Sequence, residues 1–96
     1  MSNYFISRHK GAIDWVNQQG IKIDQQITHL DINQLTKNDS VYGTLPINIV
    51  AQINAIGVRY FHLSLNLPKQ ARGKELTAKA MQTYGASLEE YTAKKV

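Results

Sequence analysis

The apolar positions of this chain recur with two alternating periods, and that alternation predicts its elements. Asn3 to Ser7 (NYFIS) is β-favouring and reads as a first strand. His9 to Gln19 follows as a helix whose stripe is Ala12, Ile13 and Val16, with Gly20 as its stop. Gln26 to Leu30 (QITHL) reads as a second strand, and the polar run Asp31–Asp39, broken by Ile32 and Leu35, suits a short helical turn. Ser40 to Thr44 (SVYGT) reads as a third strand. Pro46 fits the first position of a second helix, where a missing N–H costs no bond. Ile49, Ile53 and Ile56 then recur at helical spacing beside Val50, and Gly57 closes the element. Val58 to Leu65 (VRYFHLSL) alternates most clearly. Val58, Tyr60, His62 and Ser64 face one side; Arg59, Phe61, Leu63 and Leu65 face the other. Lys74 to Tyr84 reads as a third helix with Leu76, Ala80 and Tyr84 on one face. Two readings of the tail stay open. Ser87 and Glu90 fit a capping box for a last helix, and LEEYTA also alternates as an edge strand.

Strand–helix–strand repetition predicts a single α/β domain spanning residues 1–96, with a mostly parallel sheet flanked by helices, because helical crossovers join parallel strands. Such sheets bind ligands outside the carboxyl ends of their strands. That rule selects Ser7-Arg8-His9-Lys10-Gly11, Gly43-Thr44-Leu45-Pro46, and the segment running from Ser64 through Asn66 to Pro68. His29-Leu30-Asp31 ends the second strand.

Composition narrows the chemistry. With no cysteine among 96 residues there is neither a disulfide framework nor a thiolate metal site, which fits a reducing cytoplasm. No apolar run approaches the ~20 residues of a membrane span, and MSNYFISRHK lacks the layout of a secretory signal. A cytoplasmic location and no membrane partner are therefore expected. The net charge is +4, and residues 69–96 carry six basic groups against three acidic ones. That excess suits anionic partners such as nucleotides, although on charge alone Lys-rich ends describe a soluble surface better.

Within SRHKG, a helix start offers free N–H groups to phosphate, Ser7 could cap it, and Arg8 can grip phosphate oxygens in pairs. His9 suits acid or base work, Lys10 adds charge, and Gly11 allows a ligand close to the backbone. The same segment also reads as a capping serine followed by solvated side chains. GTLP supplies Gly43, the Thr44 hydroxyl and a second helix start at Leu45–Pro46, or an ordinary strand-to-helix turn. Lys69, Arg72 and Lys74 surround Gly73 and could stabilise developing negative charge, or form a solvated basic loop. His62, inside an apolar strand, reads as a hydrogen-bonded core residue, and Trp15 as core or interface. The aspartates show no metal-ligand spacing, so neither metal nor cofactor is expected.

SRHKGAIDW, THLD, YGTLPINIVAQI, RYFHLSLNLPKQARGKEL and YGASLEEY, in this order, resemble the small stand-alone ring nucleases associated with type III CRISPR systems. The resemblance runs from Tyr4 to about Tyr91. It implies a Rossmann-like fold related to CRISPR-associated sensor domains. It also implies a cyclic oligoadenylate ligand, in particular cyclic tetra-adenylate, and metal-free cleavage that silences the signal. RNA carries its own nucleophile, so such an enzyme need only align the 2′-oxygen and stabilise charge. On that basis His9 is the candidate acid or base, Arg8 and Arg72 the phosphate clamps, and Lys74 a weaker one. Ser7 and Thr44 orient the ligand. A large symmetric ring against so short a chain points to a homodimer. A protein that sequesters the same ligand uncut is the alternative. Duplex nucleic acid is not an expected partner, and a general RNA-binding module is disfavoured for want of an aromatic platform on a sheet face.

Overall fold

In the computed structural model, which describes residues 1–7, 9–71, 73 and 75–96, the strands run Asn3–Ile6 (β1), Gln25–Ile27 (β2), Ser40–Gly43 (β3), Arg59–Ser64 (β4) and Ser87–Tyr91 (β5). The helices are Lys10–Gln18 (α1), Ile47–Ala55 (α2) and Ala78–Thr83 (α3), with 3₁₀ turns at Ile32–Gln34 and Lys69–Ala71. The sheet order is β2-β1-β3-β4-β5. Every pairing is parallel except β4 with β5, which is antiparallel. The domain is thus α/β, with a mixed, mostly parallel sheet.

Side chains alternate across the sheet and divide the core in two. Phe5, Tyr42 and Leu63 pack with Ala12, Trp15 and Val16 of α1 and Ala78 and Met81 of α3. On the other face Val41, Val58 and Tyr60 pack with Val50 and Ile53 of α2 and with Leu35. The two faces expected for β4 are therefore present: Tyr60 belongs to one cluster and Leu63 to the other. Trp15 is core, and its Nε1–H donates to Gln82 Oε1 at 2.9 Å, tying α1 to α3.

Several boundaries differ from the sequence expectation. β2 ends at Ile27 rather than Leu30 because β1 runs out. The Ser7 N–H donates to the Ile27 carbonyl, and the Ser7 carbonyl then accepts the Gln26 side chain instead of another rung. Pro46 stands one residue before α2 in extended conformation, as its cap. α3 starts at Ala78 because Thr77 caps it, its Oγ1 accepting the Ala80 N–H at 3.1 Å. Its buried face is Ala78 and Met81, not Ala80 and Tyr84. Ile56, the residue that ends α2, is exposed rather than part of the buried stripe. The tail is the edge strand: Ser87 pairs with Ser64, and the Glu90 carboxylate takes both the Nε and Nη2 protons of Arg59 at 2.8 and 2.9 Å. No capping box forms there.

Candidate functional site at the strand ends

β1 connects outward to β2 through α1, and β3 connects outward to β4 through α2 on the opposite face. The strand order therefore reverses between β1 and β3. At such a reversal the loops diverge and leave a crevice beyond the strand ends. A cavity of about 170 Å³ lies there. Phe5, Leu63, Leu65 and Met81 give it an apolar lining, and Ser7, His9, Gly43 and Thr44 join them. Engineered apolar cavities of about 150 Å³ accept benzene, so this one has room for one flat ring.

α1 begins beside this crevice, its cap residue His9 in the lining, whereas the first residue of α2, Ile47, lies outside that lining. Neither start has a side-chain cap or an acidic residue in its first turn. Their leading N–H groups and positive dipole ends face no negative protein charge within those turns.

Of the residues singled out from sequence, Ser7, His9, Gly43 and Thr44 meet at the cavity. Ser7 does not cap α1. Its Oγ accepts the N–H of His9, which itself occupies the cap position. His9 is 63% exposed, and its Nδ1 stands 3.4 Å from Glu75 Oε1, a carboxylate able to hold the imidazolium. Lys10 is exposed on the first turn of α1.

Gly11 serves packing rather than ligand approach. A Cβ there would stand 1.7 Å from the Leu76 carbonyl oxygen, so the chain itself fills the space expected for a ligand. Leu45 and Ser64 line a second, larger cavity on the α2 face, about 420 Å³, together with Tyr60, His62 and Tyr91. Pro46 is exposed beside it. Asn66 is exposed, with its backbone N–H on the Tyr84 carbonyl, and Lys69 is exposed on a 3₁₀ turn; neither lines the cavity. Arg8, Arg72 and Lys74 lie outside the described residues. His29 is exposed past the end of β2.

Sequence reasoning missed Tyr60, whose hydroxyl contacts the loop between β3 and α2. Burial raises its pKa, with the Leu45 N–H pulling back weakly, so the proton stays on the oxygen at neutral pH. Its place on the α2 face was readable from alternation, its polar contacts were not. His62 is half-buried with Nδ1 2.6 Å from that hydroxyl. Among the described residues no three His, Asp or Glu side chains cluster as metal ligands. Among the described residues no helix is long and apolar enough to cross a membrane.

A crevice at a reversal of strand order, beside the uncapped start of α1, characterises this small α/β domain. The chain belongs to the family described as "Putative CRISPR-associated protein (Cas_VVA1548)", which matches residues 4–94. Neither a curated protein nor a solved structure matches it.

Proposed function

We propose that this CRISPR-associated protein is a Rossmann-like ring nuclease that binds cyclic oligoadenylate, in particular cyclic tetra-adenylate, and opens the ring without metal. The observation that carries the reading is the meeting of Ser7, His9 and Thr44 with the start of α1 around a ring-sized cavity. A nucleotide needs this combination: an apolar slot for a base and N–H groups for a phosphate. The order β2-β1-β3-β4, with α1 and α2 on opposite faces, supports the Rossmann-like assignment.

The reaction follows from the ligand. A ribose 2′-oxygen attacks the adjacent phosphorus, the 5′-oxygen leaves, and a linear product with a 2′,3′-cyclic phosphate forms. The 2′-hydroxyl proton is lost and the 5′-oxygen gains one. His9 performs one of these transfers, held by Glu75 on its Nδ1 side. Arg8 and Arg72 clamp the phosphate, with Lys10, Lys69 and Lys74 adding positive charge, and Ser7 and Thr44 orient the sugar-phosphate. The protein works in the cytoplasm as a homodimer, two copies offering a symmetric ring the same groups twice.

The high exposure of His9 favours one competing reading, a protein that sequesters the ring uncut, since a proton-transfer group usually works shielded from bulk water. Incubation with labelled cyclic tetra-adenylate in EDTA, resolved by chromatography, separates the two. Linear product is expected. Bound but intact ring after many hours favours sequestration, strict dependence on added divalent metal removes the metal-free route, and absence of binding refutes both readings.

A further inference from the structure

Tyr60 lies mid-strand in β4, almost fully buried on the α2 face. Its hydroxyl accepts the Leu45 N–H at 2.8 Å, lies 3.0 Å from the Gly43 carbonyl and lies 2.6 Å from His62 Nδ1. A phenol has one proton to give and two lone pairs to receive with. All three contacts are satisfied in a single arrangement. The hydroxyl donates to Gly43 and accepts from Leu45 and from a protonated Nδ1 of His62. Neutral His62 then carries no proton on Nε2.

Gly43 and Leu45 bracket Thr44, whose exposed side chain stands at the cavity. The pairing of β3 with β1 ends at Tyr42, and Pro46 after the loop has no N–H to anchor it. On its other edge β3 pairs with β4 as far as Gly43, and beyond that last rung the Tyr60 hydroxyl takes the Leu45 N–H while also contacting the Gly43 carbonyl. We infer that Tyr60, oriented by His62, is a positioning residue that latches the Gly43–Leu45 loop and so sets the place of Thr44 at the strand ends. Its bearing on a ligand rests on the function proposed above; its hold on the loop does not.

The test is Tyr60→Phe in the full chain, which keeps the ring and removes only the hydroxyl. Amide hydrogen exchange by NMR is expected to accelerate at Leu45 by about tenfold more than at Val41 in the sheet core, the scale of one lost buried hydrogen bond. Ring ¹⁵N shifts of His62 are expected to show the Nδ1–H form in the parent and to lose that preference in the variant. His62→Ala, which leaves both loop contacts of Tyr60 in place, is expected to keep most of the Leu45 protection. Equal acceleration at Leu45 and Val41, or none at Leu45, overturns the latch, because a merely structural tyrosine loosens the sheet as a whole. Cyclic tetra-adenylate binding, measured well below the unfolding temperature, is expected to weaken about tenfold in Tyr60→Phe. A parent that does not bind the ring defeats the proposed function and leaves exchange and tautomer to decide the latch. A variant that binds as well as the parent while Leu45 exchanges faster overturns the positioning of Thr44.

Discussion

Replacing Gly11 by alanine sets two energies of opposite sign against each other. Gly11 is the second residue of α1 and has no positive φ, so alanine suits its backbone and gains up to about 1 kcal/mol of helix propensity. Tertiary packing opposes this. The new Cβ would stand 1.7 Å from the Leu76 carbonyl oxygen, 2.7 Å from its carbon and 3.0 Å from Thr77 Cα. Close carbon–oxygen contacts need about 3.3 Å, so the backbones must separate by roughly 1.6 Å. All three atoms are main chain, and no rotamer change relieves them. The segment that must retreat carries Leu76, which lines the cavity, and Thr77, which caps α3. Overpacking of this kind costs about 1–3 kcal/mol, and loosening a cap adds about 1 kcal/mol. The net expectation is a loss of about 2 kcal/mol, or roughly 10 °C in Tm for a domain of this size. Urea titration at 25 °C and a thermal scan, both followed by circular dichroism, measure it. Trp15 fluorescence is expected to shift too, because its indole is bonded to Gln82 of α3. A Gly11→Ala protein as stable as the parent or more so would refute the reasoning and leave helix propensity as the dominant effect.

At the opposite end of the sheet, buried Asp39 accepts the N–H groups of Ser2 and Thr36 and the Thr36 hydroxyl. Desolvation pushes its pKa up, but these bonds and the N-terminal ammonium outweigh that and hold it below the ordinary 3.8. Its contribution is therefore complete above about pH 4 and is lost as pH falls through the lowered value. Asp39→Asn is expected to cost about 2 kcal/mol at pH 7 and progressively less towards pH 2; an equal deficit at both, by urea titration, contradicts this. His9→Ala is expected to slow single-turnover ring cleavage by about 10²–10⁴-fold with binding held within a few-fold, whereas Arg8→Ala and Arg72→Ala weaken binding by roughly ten- to a hundredfold. Rates at saturating protein separate the two effects, and parental cleavage by His9→Ala would leave nucleophile positioning and the cationic clamp as the mechanism.

Wherever burial repeats locally, the sequence by itself determined the element. The alternation from Val58 to Leu65 marks both faces of β4, and apolar spacing marks α1 and α2, because a side chain's face follows from its own backbone period. The rule for parallel strand ends also brought out Ser7, His9, Gly43 and Thr44, which do meet at the cavity. What depends on a distant partner was decided by tertiary structure alone. Ser87–Tyr91 suited helix or strand equally until β4 offered an unpaired edge and Arg59 a partner for Glu90. Gly11 looked like room for a ligand and is room for Leu76, 65 residues away in sequence. Leu45 belongs to a second cavity because the Tyr60 hydroxyl on the α2 face holds its N–H. Tyr60 reads along the chain as one more apolar position in a strand. Its hydroxyl acquires partners only when parallel pairing sets β4 beside β3, bringing Gly43 and Leu45 within hydrogen-bonding reach.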